Sequence, residues 1–428
     1  MTNYKEIKQC RICGNNDLFP ILHLGEQALT GVFPRSRDHR ITSAPLELVK
    51  CQERGSSDGC GLVQLRHSFG ISEMYGENYG YRSALNRSMV EHLHNKVKTI
   101  LSRISVSPGD LVIDIGSNDS TLLQAYSRDL VLVGIDPTGG RFGKYYPDHV
   151  QLIPDFFSSH LVDTRFGGKK ARIITSIAMF YDLEVPLDFV EQIYHTLSDD
   201  GVWVFEQSYL PMMLKTNSYD TICHEHLEYY RLKQIKWIMD KVGFKIIDIE
   251  SNMVNGGSFC VTVAKQNSHY PEAVSIVDEL LDEEINKVLD TEKPYLEFKQ
   301  RVYRHREQLL RLLEESKHDG KKILGYGAST KGNVVLQFCD LTENHIPYIA
   351  EVNADKFGSY TPGSYIPIIS EEEARAMKPD CFMVMPWHFK ENIIKRERAF
   401  LEGGGELLFY LPQLEIVDLG SIYQKKVR

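Results

Sequence analysis

Apolar runs of six or seven residues alternate with amphipathic stretches through the middle of the chain. Continuous apolar runs are typical of strands buried on both faces, and a helical period between them is typical of covering helices. Strands are predicted at 110–115, 130–136, 171–177 and 201–206, and helices at 84–103, 187–197 and 232–242. This alternation predicts a parallel sheet covered on both faces, which places the chain in the α/β class.

A second α/β unit is predicted after a charged helical stretch. Its apolar runs lie at 321–327, 346–351, 381–385 and 406–410. Residues 244–250 and 258–264 are predicted to form antiparallel strands that close the first unit. Pro294 interrupts the helical pattern that follows. The predicted domains are a small module of short strands and turns at 1–70, the first α/β unit at 71–265, a helical linker at 266–318, and the second α/β unit at 319–428.

The charge balance excludes one broad class of function. The 428 residues include 49 lysines and arginines against 58 acidic residues, a formal net charge of −9. This argues against general binding to a nucleic acid backbone. No apolar run approaches the roughly 18 residues of a membrane span, and residues 1–8 are polar rather than signal-like. We therefore expect a soluble, cytoplasmic protein with neither a nucleic acid nor a membrane as partner.

Half of the eight cysteines lie near the N-terminus: Cys10, Cys13, Cys51 and Cys60. The first pair has the two-residue spacing that lets two thiolates reach one tetrahedral zinc ion. The second pair is separated by eight residues, wider than usual, but the polar insert is suited to a loop. We predict a structural four-cysteine zinc site, with His23 and His39 as substitute ligands and buried unligated cysteines as the alternative.

An acidic loop follows the first strand of the first α/β unit, and a helix is predicted from about Thr121. The loop lacks the G-x-G-x-x-G fingerprint of dinucleotide sites, and its acidic character is poorly suited to a pyrophosphate. It suits S-adenosylmethionine, which carries a cationic sulfonium and ammonium. Asp136 lies 22 residues after Asp114, at the end of the next strand, where a carboxylate can bind ribose hydroxyls. The predicted cofactor residues are Asp114, Gly116, Asn118, Asp119, Asp136 and Pro137. The alternative is an ordinary strand end.

Several motifs carry a family resemblance across nearly the whole chain: 10–13 with 60–64, 114–119 with 219–230, and 325–333 with 360–368. The most specific strings are H-E-H-L-E-Y-Y and G-Y-G-A-S-T-K-G-N. The chain resembles the S-adenosylmethionine-dependent sugar C-methyltransferases, which add a branching methyl group to nucleotide-linked keto-deoxysugars. The resemblance implies a class I methyltransferase (Rossmann-like) core between a zinc module and a C-terminal Rossmann-like domain, in a monomer or homodimer.

Methylation of a carbon next to a ketone needs a base, a means of stabilising the enolate, and a methyl donor at the open face. His226 is the candidate base, since histidine titrates near neutrality and the resemblance assigns this role to the second histidine of H-E-H. Glu225 is the neighbouring acid that orients the sugar or stabilises charge. Tyr79 and Tyr81 resemble the tyrosines of the family that reach the active site. A metal pair with Asp220 and a purely structural polar turn are the alternatives for this segment.

The glycine-rich stretch 325–332 lies between a strand and a helix, so its amides and Lys331 can bind phosphate. The order and spacing of its lysine relative to its serine and threonine differ from those of a P-loop. The alternative is that the stretch is a tight turn that packs two elements together. The resemblance implies that this domain helps to hold the nucleotide-sugar, with Lys331 and Asn333 as diphosphate contacts. Residues 255–258, Trp387 and His388 are further candidates to line the cleft. The predicted substrate residues are His224, Tyr230, Asn255, Lys331 and Asn333.

The function predicted from these residues and the resemblance is C-methylation of a nucleotide-linked 4-keto-6-deoxyhexose, most plainly at C-3. An O- or N-methyltransferase on the same scaffold is one alternative. An NAD(P)-linked sugar oxidoreductase is a second, against which the absent dinucleotide fingerprint counts. A non-catalytic zinc-ribbon adaptor is a third.

Overall fold

The computed structural model describes residues 4–53, 59–70, 74 and 81–421. The N-terminal part of this range forms two antiparallel sheets, one of two strands and one of four. Its strands are β1 (Tyr4–Glu6), β2 (Leu18–Ala28), β3 (Ser43–Cys51), β4 (Val63–Leu65) and β5 (His67–Phe69). The fourth strand of the larger sheet comes from a distant segment, which pairs with β4 and is described below.

A seven-stranded mixed sheet forms the middle of the protein, in the order β12-β13-β10-β9-β6-β7-β8. Its strands, with the short β11, are β6 (Leu111–Ile115), β7 (Val131–Ile135), β8 (Val150–Ile153), β9 (Ala171–Ile177), β10 (Leu197–Ser208), β11 (Glu228–Tyr229), β12 (Phe244–Asn252) and β13 (Ser258–Lys265). The helices are α1 (Arg87–Arg103), α2 (Gly139–Phe142), α3 (Ser159–Phe166), α4 (Pro186–Thr196), α5 (Leu210–Thr216) and α6 (Leu232–Val242). The strand order reverses between β6 and β9, and ligands of open α/β sheets bind at such a switch point.

Two helices, α7 (Val274–Asn286) and α8 (Lys293–His318), lead to a six-stranded sheet in the order β16-β15-β14-β17-β18-β19. Its strands are β14 (Ile323–Tyr326), β15 (Ile349–Glu351), β16 (Ile368–Ser370), β17 (Cys381–Val384), β18 (Glu406–Phe409) and β19 (Glu415–Val417). The remaining helices are α9 (Thr330–Phe338), α10 (Glu371–Ala376), α11 (Lys390–Arg396) and α12 (Arg398–Glu402). This sheet has its own switch point, between β14 and β17.

The N-terminal module packs between the two larger sheets. Leu22 and Leu46 belong to a core cluster that includes Val335 and other residues of the C-terminal sheet domain. Cys10 and Leu62 instead belong to a cluster with the residues of the central sheet. A module of this size is too small to bury its own apolar strands, and packing against both larger sheets removes their side chains from water.

Most predicted elements are observed within a few residues, and α6 coincides with its prediction. This helix begins after Arg231, whose backbone N–H is capped by the Gln234 side chain, and ends at Gly243 with φ +99°. The helix predicted from Thr121 is wrong, since only a 3₁₀ turn forms at Leu123–Ala125. The Thr121 N–H and hydroxyl are bound by Asp119, which favours a turn over a helix. No helix in the described ranges is long and apolar enough to cross a membrane.

Candidate functional site

The four N-terminal cysteines converge at the end of β3. Their sulfur atoms all lie within 4.8 Å of one another, with 3.5 Å between Cys10 and Cys60 and 3.5 Å between Cys13 and Cys51. Four thiolates bound tetrahedrally to one zinc would be about 3.8 Å apart, given a metal–sulfur distance of about 2.3 Å. The wide spacing between the second pair is therefore compatible with a closed zinc site. Among the described residues this is the one cluster with ligand atoms close enough to hold a metal, so His23 and His39 are not needed.

The acidic loop lies at the switch point of the central sheet. Gly116 follows β6 with φ +72°, a conformation that favours glycine, and it is exposed. Asp114 is buried at the end of β6 and accepts a hydrogen bond from Thr175 Oγ1 at 2.6 Å. Burial, and then the nearby charge of Asp136, raise the pKa of Asp114 to about 7. The loop thus presents an open backbone beside buried acidic groups.

Asp136 ties the acidic loop to the end of β7. One of its oxygens accepts the Asn118 N–H at 2.7 Å, and the other accepts the Thr138 N–H at 2.7 Å. The carboxylate is thereby held rigidly and still has a lone pair for a ribose hydroxyl. Pro137 follows it and is half-buried. An open glycine turn, a fixed acid at the second strand end and no basic residue within 114–120 together fit S-adenosylmethionine.

Two other predicted residues hold the loop to the segment before α1. Asp119 accepts the Ala84 N–H at 2.9 Å, and Asn118 Nδ2 donates to the Tyr81 carbonyl at 3.2 Å. Tyr81 is 47% exposed, and its contact with Asn118 places it beside the predicted cofactor loop. Tyr79 lies outside the described residues.

His226 lies between β10 and β11 with its imidazole held in one orientation. Its Nδ1 lies 2.8 Å from the Thr221 carbonyl and therefore carries the proton, which it donates. The ring packs edge-on against Tyr181, with 4.3 Å between centroids. Burial, and then the charge of Lys331, lower the pKa of His226 to about 3. The imidazole is therefore neutral near pH 7, and Nε2, which has no hydrogen bond among the described residues, can accept a proton.

Glu225 is buried where three parts of the chain meet. A Cβ added at Gly31 would overlap the Glu225 carboxylate and would lie 3.9 Å from Thr330 Oγ1. Gly31 belongs to the N-terminal module, and Thr330 begins α9. Burial raises the pKa of Glu225 to about 7, so the acid is about half protonated at neutral pH.

Asp220 accepts hydrogen bonds from two side chains of the C-terminal sheet domain. Trp387 Nε1 donates to Asp220 Oδ2 at 2.7 Å, and the Tyr410 hydroxyl donates to the same oxygen at 3.3 Å. Trp387 also packs over Gly256, in the loop before β13. His388 follows, with its Nδ1 buried and without a hydrogen-bond partner. These contacts join the central sheet to the loop after β17.

Lys331 lies at the start of α9, close enough to Asp220 and His226 to affect their pKa values. Its ammonium donates to the Asn255 carbonyl at 2.9 Å, and no described carboxylate lies within ion-pair distance. Burial lowers the pKa of Lys331, although Asp220 and Cys223 act in the opposite direction. A half-buried cation with unused donors is suited to an anionic ligand. The structure thus brings two predicted substrate residues, Lys331 and Asn255, into direct contact near His226.

The other three predicted substrate residues have packing partners. His224 packs edge-on against Phe69, and its Nε2 lies 3.3 Å from the Ala44 carbonyl. Tyr230 stacks on Phe180 within the core of the central sheet, and Asn333 donates to the Thr30 carbonyl at 2.8 Å. His224 and His226 thus have different partners, which argues against a joint metal site with Asp220.

Three contacts of the candidate site go beyond those predicted from the sequence. The Thr221 carbonyl orients His226, Tyr181 packs against the His226 ring, and Asp220 anchors Trp387. Thr221 lies five residues before His226 in the same motif, and Tyr181 lies just beyond the carboxyl end of β9, so each of these two had a partial signal. The contact of Asp220 with Trp387 joins segments that only the fold brings together.

Comparison with protein families matches three successive parts of the chain. Residues 10–75 match a model described as "Putative zinc binding domain", 89–249 match a methyltransferase domain, and 253–412 match a C-methyltransferase C-terminal domain. A relative of known class, C-methyltransferase NovU of Streptomyces niveus, is 30% identical over 423 residues, covering 97% of this chain and 98% of that protein.

Two solved structures resemble part of the chain. Magnesium protoporphyrin IX methyltransferase (ChlM) from Synechocystis PCC 6803, with bound SAM, has 13% identity and a TM-score of 0.32, covering 45% of this chain and 88% of that chain. Plantazolicin methyltransferase BpumL in complex with SAH has 13% identity and a TM-score of 0.33, covering 40% and 82%. Both scores are low.

The family matches and the geometry together confirm the predicted fold class, the cofactor S-adenosylmethionine and the four-cysteine zinc module. A match over nearly the full length of both chains also confirms the predicted enzyme class. The chain belongs to the family of S-adenosylmethionine-dependent C-methyltransferases that carry an N-terminal zinc-binding domain.

Proposed function

We propose that this C-methyltransferase methylates C-3 of a nucleotide-linked 4-keto-6-deoxyhexose. The observation that carries the proposal is a neutral imidazole, His226, whose Nε2 is free, beside a buried acid and near a half-buried cation. A neutral base is required because the α-proton of a ketone is removed before carbon can act as a nucleophile. In this proposal, residues 71–265 bind the cofactor and residues 319–428 bind the nucleotide. Residues 266–318 are the linker, and residues 1–70 are the zinc module.

In the proposed mechanism, His226 Nε2 takes the proton from C-3, and the electron pair of that C–H bond forms the enolate. The Nδ1–H bond to the Thr221 carbonyl stabilises the imidazolium that results. Glu225, in its protonated form, donates a hydrogen bond to the oxygen at C-4, where negative charge develops. S-adenosylmethionine, held by the loop with Gly116 and Asp136, would supply the methyl group to the enolate carbon, with its sulfur–methyl bond breaking to leave S-adenosylhomocysteine. His226 then releases its proton to solvent.

Lys331 is the proposed anchor for the diphosphate. Its ammonium uses one donor on the Asn255 carbonyl and lies at the switch point of the C-terminal sheet. Asn255 has φ +57° and is adjacent to Gly256, over which Trp387 packs. These contacts support a substrate that spans from the second switch point to His226.

The test is mass spectrometry after incubation with S-adenosylmethionine and a panel of nucleotide-linked 4-keto-6-deoxysugars. We expect one sugar to gain one methylene group, with an equal amount of S-adenosylhomocysteine. Deuterium at C-3 should be lost to solvent during turnover. Methylation of only the reduced, 4-hydroxy sugar would overturn the proposal, since that substrate cannot form an enolate.

The pH dependence of kcat/KM is expected to follow Glu225. Its pKa is about 7, whereas His226, with a pKa of about 3, does not titrate in the neutral range. Because the protonated form of Glu225 donates to the enolate, kcat/KM should fall as the pH rises through 7. Glu225→Gln keeps a donor but cannot titrate, so its profile should be flat. Asp114 also has a pKa of about 7, and a fall that disappears in Asp114→Asn instead would contradict the assignment.

Replacing Lys331 by methionine should raise KM for the nucleotide-sugar by about 10- to 100-fold, the range expected for losing a hydrogen bond to a charged group. KM for S-adenosylmethionine should stay unchanged, because that site lies in the other sheet. Lys322→Met is the matched control, since Lys322 donates to the Met377 carbonyl on the surface of the same domain. Equal effects of Lys331→Met on both substrates would contradict the anchoring role.

A further inference from the structure

The zinc module and residues 226–231, called the catalytic segment because they include His226, contribute to one sheet. Glu228 and Tyr229, which form β11, pair with Gln64 and Val63 of β4. The Leu65 N–H donates to the Leu227 carbonyl at 2.8 Å. The proposed base, His226, therefore lies two residues before a strand that pairs with β4, and β4 begins three residues after Cys60.

Arg11 lies between the zinc-ligand positions Cys10 and Cys13 and extends across this sheet. Its guanidinium donates to the carbonyls of Leu65 and His67, at 2.6 and 3.3 Å, and to Ser68 Oγ at 2.9 Å. Its side chain is 3% exposed. An arginine with this many fixed acceptors is held in one conformation.

The same guanidinium faces the catalytic segment. Arg11 Nε lies 3.6 Å from Glu228 Oε1, and the Glu228 side chain is fully buried. The other groups that face Glu228 are the Glu184 carboxylate and the Leu183 backbone amide. Burial raises the pKa of Glu228 well above its usual value, and Arg11 acts in the opposite direction. Arg11 therefore lies against a buried acid two residues after His226, and both side chains are held out of water.

A second contact joins the zinc site to the end of the same segment. Gln234 Nε2 donates to the carbonyl of Cys60 at 2.7 Å, and the Gln234 side-chain oxygen caps Arg231. On the opposite side, the Leu227 N–H donates to the Tyr181 carbonyl at 2.8 Å. The segment that carries His226 is thus fixed between the cysteine cluster and the end of β9.

We propose that Arg11 is a positioning residue for catalysis: the zinc-bound turn fixes Arg11, and Arg11 fixes Glu228 and, through β11, the imidazole of His226. This inference rests on the proposed role of His226 as the base. It assigns to the zinc module a role in turnover as well as in folding.

The first test is Arg11→Met, which keeps the length of the side chain and removes the fork and the charge. We expect kcat to fall on the order of 10²-fold, the effect of a misplacement of about 1 Å. KM and the dissociation constant of S-adenosylmethionine should remain unchanged, since the cofactor loop lies beyond β9. Arg11→Lys, which restores the charge, should recover part of kcat. Arg66→Met is the matched control, because Arg66 belongs to the same module and pairs with Glu47 away from the segment.

Hydrogen exchange supplies a readout besides activity. In Arg11→Met, exchange should accelerate at the amides of Leu65 and Leu227 and stay unchanged in β7, with zinc content preserved. A kcat equal to that of the unaltered enzyme would overturn the positioning role while leaving the proposed function intact, provided that His226→Asn is inactive. Loss of zinc or of cofactor binding in parallel with kcat would also overturn it, because the residue would then be needed for the fold alone. Undiminished turnover in His226→Asn would instead overturn the proposed role of His226 as the base.

Discussion

Turnover is expected to fall by about 10³-fold when His226 is replaced by asparagine, within the range for loss of a general base. Asparagine can still donate to the Thr221 carbonyl and so keeps the local contact that orients the side chain. It cannot accept a proton at the position of Nε2. The expected result is a loss of kcat with unchanged affinity for S-adenosylmethionine, measured by single-turnover kinetics and calorimetry.

The loss of hydrogen at C-3 provides the sharper observation. Exchange of the C-3 proton with solvent, followed without cofactor, should stop in His226→Asn because no group remains to remove it. His224→Gln is the matched control, because the glutamine amide can reach the Ala44 carbonyl that His224 contacts. Exchange at the normal rate in His226→Asn would mean that another residue is the base.

Removal of the metal is expected to have the largest effect on stability. Closed four-cysteine sites contribute on the order of 10 kcal/mol to the folding of small zinc domains. Here the cysteines connect the turn at Cys10 to the end of β3 and to Cys60. Cys60→Ser should therefore lose its zinc, measured by elemental analysis, and melt well below the unaltered enzyme.

Cys381→Ser is the matched control for this prediction. Cys381 is also buried, but it lies in β17, outside the cluster. It should keep one zinc ion per chain and lose only the stability expected for a polar atom in an apolar strand. A Cys60→Ser protein that retained zinc and its melting temperature would show that the site does not need all four thiolates.

The strands, the cysteine cluster and the cofactor loop could be predicted from the sequence because each depends on residues close together in the chain. The apolar runs that became β6, β7 and β9 are buried on both faces in the sheet, as continuous hydrophobic runs require. The four cysteines were identified by residue type and spacing, and the cofactor loop by a glycine between a strand and an acid. The helix expected at Thr121 failed because Asp119 binds the backbone there, a contact that helix periodicity does not reveal.

The candidate site depended on contacts between distant segments. H-E-H-L-E-Y-Y suggested several polar groups facing one ligand, but His224 packs on Phe69 and Tyr230 on Phe180, whereas His226 contacts Tyr181. Lys331 contacts Asn255, while Asn333, two residues further along α9, contacts Thr30 of the N-terminal module. The sequence of a motif shows which side chains are present, but the packing of neighbouring domains decides which of them remain available to a ligand.

The sequence by itself determined the α/β class, the zinc ligands, the cofactor loop and the identity of the polar groups, because burial, turn chemistry and metal preference act through residue type and short spacing. Only the tertiary structure decided that β11 joins the sheet of the zinc module, that Tyr181 packs against His226, and that Lys331 meets Asn255. These contacts join segments far apart in the chain, and their energy comes from burying surfaces that exist only after the sheets have formed.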